Sequence, residues 1–368
     1  MIEPIKVRLP GATFRLGIAN DEFIYTLSFK DQNHRNLVCI NFKGEIVWNV
    51  NLTSIPGQLR LASNGTVWIG ATNKLHQYGS DGNRLKTINV PCRESEHLEN
   101  FLLTADGFLC SFQDSSVREP RVVKLTVDGK LLWSATIFPN QVAFDGVQEM
   151  GVHTEWKRQP MKPWDPVIWV ADLSEPLLLT NNYILASFGE HPHSGIGRSY
   201  CLDYISGDIL WVTESRPAGT KAITNDEHFL IGAQGYGAFD TYLYDKEGTI
   251  LNHWPSHGDY LLTEDGEIRL VEMENSLPSK MHFSILHTNG RVQKGPHLSG
   301  YHTTYPVIDK DCTAAFWRDG KLILIDKHLK KRILYSDNSL PERPLLTRML
   351  LTKQGMLAFV VNKELWLL

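Results

Sequence analysis

Two interleaved series of hairpins and one repeat length predict an all-β fold, a propeller of four-stranded sheets. The first series is "VCINFKGEIVW" (38–48), "LHQYGSDGNRL" (75–85), "VVKLTVDGKLLW" (122–133), "YCLDYISGDILW" (200–211), "YLYDKEGTIL" (242–251), "FSILHTNGRV" (283–292) and "LILIDKHLKKRIL" (322–334). Each is an alternating apolar run, a polar turn and a second alternating run, which is the pattern of a β-hairpin. Six of these turns hold a glycine, at 44, 82, 129, 207, 248 and 290, where positive φ is needed.

The second series is more apolar. It runs from "RLGIANDEFIYTL" (15–27), "RLASNGTVWIGA" (60–71) and "LLTADGFLCSF" (102–112) to "LLTNNYILASF" (178–188) and "AITNDEHFLIGA" (222–233). It closes with "LLTEDGEIRLV" (261–271), "PVIDKDCTAAFW" (306–317) and "LLTKQGMLAFV" (350–360). Its turns lie near residues 21, 65, 107, 182, 226, 266, 311 and 355, spaced 44, 42, 75, 44, 40, 45 and 44. A unit of about 44 residues holds four short strands, A to D from hub to rim, and is one blade. Eight A–B pairs meet seven C–D pairs. "KELWLL" (363–368) supplies the last strand C, and "IKVRLP" (5–10) at the other end of the chain is expected to complete that sheet as strand D. Eight blades follow; seven, with one A–B pair misread, is the alternative.

One interval breaks the period. The 75-residue spacing places an insertion at residues 138–176, between blades three and four. It carries Trp156, Lys157, Arg158, Trp164 and Asp165, and aromatic and cationic side chains are the types that dominate protein interfaces. Next comes "GEHPHSGIGRSY" (189–200), with His191, His193 and Arg198, read as a lengthened B–C loop of blade four. "AQGYGAFD" (233–240), with Tyr236, is read as its counterpart in blade five. Both loops fall on one face of neighbouring blades, and these nine residues are the expected partner-binding set. Two histidines without a third ligand do not make a metal site.

Asp203, Ser206, Gly207 and Trp211 stand in the order D-x-x-[TS]-G-x-x-x-W. That order resembles the repeat of the quinoprotein, or PQQ-like, β-propellers, with WD40-like architecture. The resemblance implies that an outer-strand tryptophan docks each blade on the next. Trp48, Trp133 and Trp211, four residues after a turn glycine, match it, and Trp254, six after Gly248, is read the same way. Quinone-binding members of the family are secreted and use an adjacent cysteine pair and a calcium site. The five cysteines here are all separated, and no calcium constellation of Asp and Asn is recognisable, so no cofactor is expected.

Composition narrows the functional classes. Net charge is −4, which gives no global attraction to nucleic acid or to anionic membrane. No apolar run reaches the roughly 18 residues of a spanning helix. The opening "MIEPIKVRLP" lacks an apolar leader, and isolated cysteines in strand-like runs suit a reducing compartment; the cytoplasm is the expected location. No G-x-S-x-G, phosphate-loop or H-E-x-x-H pattern occurs. The expectation is a non-catalytic propeller that holds a protein partner, as a scaffold or as an inhibitor of the immunity type. The alternative is a hydrolase or lyase acting on a sugar or peptide at the central funnel, which the mostly apolar or small innermost strands disfavour.

Overall fold

The computed structural model describes residues 3–29, 35–53, 56–94, 96–114, 121–136, 177–189, 196–213, 216–217, 221–235, 238–255, 259–262, 266–274, 280–299, 307–308, 314–318, 321–326, 330–336, 350–352, 356–361 and 364–368. All regular structure among them is β. Strand β1 (Ile5–Arg8) precedes the first sheet of β2 (Ala12–Ala19), β3 (Phe23–Phe29), β4 (Arg35–Asn41) and β5 (Ile46–Leu52). The second sheet is β6 (Pro56–Leu61), β7 (Val67–Ala71), β8 (Lys74–Tyr78) and β9 (Arg84–Asn89). The third is β10 (Glu96–Leu103), β11 (Gly107–Asp114), β12 (Arg121–Thr126) and β13 (Leu131–Thr136). The fourth is β14 (Leu177–Leu179), β15 (Tyr183–Gly189), β16 (Ile196–Asp203) and β17 (Ile209–Val212), with β18 (Arg216–Pro217) also paired to β16.

The fifth sheet is β19 (Lys221–Ile223), β20 (Phe229–Gly235), β21 (Ala238–Tyr244) and β22 (Ile250–Trp254). The sixth is β23 (Asp259–Leu262), β24 (Ile268–Glu274), β25 (Lys280–Leu286) and β26 (Val292–Ser299). The seventh is β27 (Val307–Ile308), β28 (Ala314–Arg318), β29 (Lys321–Ile325) and β30 (Lys331–Ser336). The last holds β31 (Leu350–Leu351), β32 (Leu357–Val361) and β33 (Glu364–Leu367), and its fourth member is β1. The described strands thus form eight antiparallel sheets.

The two ends of the chain pair in register, Ile5 with Leu367 and Arg8 with Glu364. Val7 and Leu9 are buried there with Ile24, Val38 and Ile40 of the first sheet and Ala358 and Leu365 of the last. Lys6 Nζ lies 4.2 Å from the centre of the Trp366 ring. The pairing satisfies backbone groups that would otherwise form an open edge. The remaining core follows the same plan, as a series of apolar layers, each between two successive sheets.

What locks those layers is a contact repeated at the rim. The six turn glycines have φ between 77° and 86°. Four residues after the glycine, the outer strand presents a donor to a main-chain carbonyl in the next sheet's C–D turn. Trp48 Nε1 donates to Ser80 O at 2.7 Å, Lys86 Nζ to Val127 O at 3.0 Å and Trp133 Nε1 to Tyr204 O at 3.2 Å. Trp211 Nε1 donates to Lys246 O at 2.8 Å, and Asn252 Nδ2 to Thr288 O at 2.6 Å. Trp254 docks the fifth sheet on the sixth as expected, but through the core layer and not through the turn. Asn252 takes the turn contact, while Trp254 is fully buried between the fifth and sixth sheets beside Leu230, Leu270 and Leu286. Two positions along the strand keep a side chain on the same face but move it from the turn to the core layer.

The D-x-x-[TS]-G motif has a local cause. Asp203 Oδ1 accepts from the backbone N–H groups of Ile205 at 2.8 Å and Ser206 at 2.7 Å, which winds the chain into the turn. Gly207 then passes beneath the Trp133 ring, where a Cβ would lie 2.6 Å from the indole.

Two outcomes are expected. Deleting residues 1–10 removes β1 and buried Val7 and Leu9, and should lower stability in urea by about 3–6 kcal/mol; an unchanged midpoint would remove the closing role of β1. Gly207→Ala should cost about 2 kcal/mol more than Gly65→Ala in thermal melts, since both sites have positive φ (77° and 80°) but nothing lies within 4 Å of Gly65.

Candidate partner-binding face

In an up-and-down sheet, the B–C turn and the exit of strand D lie at one end. In the third sheet, Thr136, the last residue of β13, pairs with Arg121 at that end. In the fourth, Leu177 opens β14 opposite Ala186. Thr136 and Leu177, which flank residues 137–176 in the chain, therefore both lie at the end of the sheets that carries the B–C turns.

Of the nine expected site residues, Trp156, Lys157, Arg158, Trp164, Asp165, His191, His193 and Tyr236 lie outside the described residues. Arg198 is described in its backbone and corrects the loop reading. It sits on β16 opposite Phe188, and the pairing continues to Gly189 opposite Gly197. The expected long loop of blade five is likewise mostly sheet: Ala233 pairs with Asp240, Gln234 with Phe239 and Gly235 with Ala238. Gly189, Gly197, Ala233, Gly235 and Ala238, which suggest a rim loop, are instead within paired strands. Backbone pairing across the sheet overrides weak intrinsic strand preference.

Beneath this face lies a buried ion pair that the sequence did not mark. Arg121 Nε donates to Glu96 Oε1 at 2.7 Å, and Arg121 Nη2 donates to Glu96 Oε2. The same guanidinium donates to Pro91 O at 2.8 Å and Ser134 Oγ at 3.1 Å, and its carbon lies 4.8 Å from the centre of the Phe112 ring. The Arg93 backbone N–H adds a donor to Glu96 Oε2 at 2.8 Å. Burial alone would raise the Glu96 carboxyl; the donors from Arg121 and Arg93 outweigh it and hold the group below the usual carboxylate range. One side chain therefore ties the exit of the second sheet to the inner and outer strands of the third, next to the root of the insertion. In the fourth sheet, Ser187 and Ser199 bond to each other through their hydroxyls, and Thr213 Oγ1 accepts from the Ser199 N–H at 3.0 Å.

The opposite face of the same junction is also reinforced. Lys124 Nζ, only 3% exposed in its side chain, meets Asp106 Oδ2 at 2.9 Å and lies 3.5 Å from the centre of the Tyr204 ring. Tyr204 Oη donates to Asp106 Oδ1, as does Thr104 Oγ1 at 2.8 Å. Partial burial raises the Asp106 carboxyl, but these donors prevail and hold it at about 2. Single charged residues on alternating strands give no sign in sequence of meeting across two sheets.

The innermost strands are more polar than expected in the second and third sheets. Arg60 Nη2 donates to Gln58 Oε1 at 2.6 Å and to Asn100 Oδ1 at 3.0 Å, and Arg60 Nε donates to Phe101 O at 2.9 Å. These bonds engage the guanidinium as a tie between two inner strands. Among the described residues, no group of three or more His, Cys, Asp or Glu side chains could hold a metal ion.

No protein-family model matches the chain, and no curated protein matches it by sequence. Solved structures match it by fold. A europium-containing methanol dehydrogenase aligns with TM-score 0.64 at 10% identity, over 97% of this chain and 84% of that one. The quinohemoprotein alcohol dehydrogenase from Comamonas testosteroni aligns with TM-score 0.63 at 9% identity, over 99% and 75%. A chain of a mitotic checkpoint complex aligns with TM-score 0.54 at 8% identity, over 99% and 93%. The fold is a β-propeller. The matched methanol and quinohemoprotein alcohol dehydrogenases share that arrangement of sheets.

Arg121→Met should cost about 3–5 kcal/mol in urea unfolding by leaving Glu96 buried without its cation. The double variant Glu96→Leu/Arg121→Met should be more stable than that single variant; equal losses would show that the pair is not the source of the effect.

Proposed function

We propose that this propeller is a non-catalytic binding protein that holds a protein partner on the face bearing the insertion at 138–176 and the B–C hairpins of blades four and five. The observation that carries this reading is the convergence of chain on one face. The excursion between Thr136 and Leu177 leaves from the end of the sheets where Gly189 pairs with Gly197 and Gly235 with Ala238. The Arg121–Glu96 pair secures the root, so this face has a rigid base, and pre-organisation reduces the ordering cost of association. Trp156 and Trp164 would supply apolar anchors, with Lys157, Arg158, Asp165, His191, His193, Arg198 and Tyr236 around them. The partner class is a protein that is capped or scaffolded, such as a toxin or an enzyme, in the cytoplasm.

The test is affinity capture followed by titration of the recovered protein. Trp156→Ala/Trp164→Ala should weaken binding at least about tenfold with an unchanged melting temperature. Retained affinity would remove the insertion as the anchor, and turnover of a sugar or peptide substrate would overturn the non-catalytic reading.

A further inference from the structure

We propose that the cleft between the first and second sheets binds a small aromatic carboxylate, independently of the partner face. The cleft is about 310 Å³, at the lower end of the range of small-molecule pockets. Val50 and Leu52 of β5 form one wall, and Ile69 and Tyr78 of the second sheet form the other, so two apolar surfaces face a flat ligand. It adjoins the blade contact itself, since Gly82, packed under Trp48, also lines it.

Its polar groups set the sign of the ligand. Arg84 lines the cleft, and no lining side chain is a carboxylate, in a chain that has more acidic than basic residues overall. Lys74 adds positive field nearby. Burial, with Arg84 and Lys74 beside it, pushes the His76 imidazole below its usual range, so that at neutral pH it is an uncharged hydrogen-bonding group. Its Nδ1 is engaged with Thr87 Oγ1 at 2.9 Å, which leaves Nε2 as the second ring atom available to a ligand. The corresponding strand position holds Val38, Val123, Tyr200, Tyr242, Ser284 and Ile323 in the first, third, fourth, fifth, sixth and seventh sheets, all buried. The histidine therefore places an imidazole where those sheets bury their side chain, at a junction that opens into this cleft. An exposed guanidinium over an apolar slot with a neutral imidazole favours a planar ring with a carboxylate at its end.

Phenylacetate and its uncharged counterpart phenylacetamide separate charge from shape. In titrations followed by nuclear magnetic resonance, phenylacetate should perturb the His76 ring signals with a Kd of about 1 mM. Phenylacetamide should bind at least about fivefold more weakly, and Arg84→Gln should abolish that preference without shifting the melting temperature. His76 signals that stay unperturbed to about 10 mM, equal binding of acid and amide, or a preference that survives Arg84→Gln would each overturn the proposal. Partner binding lost in the tryptophan double variant leaves this result untouched, so the two readings fail separately.

Discussion

The propeller depends on a side chain from one blade bonding to the turn of the next. The donor varies among Trp48, Lys86, Trp133, Trp211 and Asn252, but the acceptor is always a main-chain carbonyl. A carbonyl is supplied by any residue, so the turn sequence is free to change. The donor needs only length and an N–H. The glycine leaves room for an indole to lie flat, and an amine or amide makes the same bond with less buried area. These loose requirements explain how the chain shares a fold with structures to which it is only about 10% identical.

The junction between the third and fourth sheets shows where that contact needs support. Between other successive sheets at most about thirteen residues intervene, from Ser336 to Leu350, whereas here residues 137–176 do. Extra ties occur around this sheet on both faces. Arg121 and Glu96 bind strands together beneath the insertion root, and Lys124, Asp106 and Tyr204 join the third sheet to the fourth on the far side. A buried ion pair gives little net stability compared with apolar packing. Its directional bonds instead fix how β10, β12 and the exit of the second sheet lie against one another.

The repeat was legible because alternation and turn glycines are local properties. Gly44, Gly129 and Gly207 announce their hairpins, and the tone of residues 5–10 points to the missing strand. Trp254 was legible as a docking residue but not in the layer it joins, because turn contact and core layer lie two residues apart on the same face. The loops of blades four and five were misjudged for a related reason. Glycine and alanine are weak strand formers, and only the partner strand makes 233–240 a hairpin with paired arms. Nothing along the chain could reveal Glu96 with Arg121, which meet across two strands of one sheet, or Lys124 with Tyr204, which meet where the third sheet stacks on the fourth.

The sequence by itself determined the class of fold, the repeat and the pairing of the two chain ends. These rest on periodicity and turn chemistry, which act over a few residues. The tertiary structure decided which donor meets which turn, where charges are buried, and that a cleft opens beside His76. Those outcomes depend on how one twisted sheet lies against the next, and that geometry exists only once both sheets have formed.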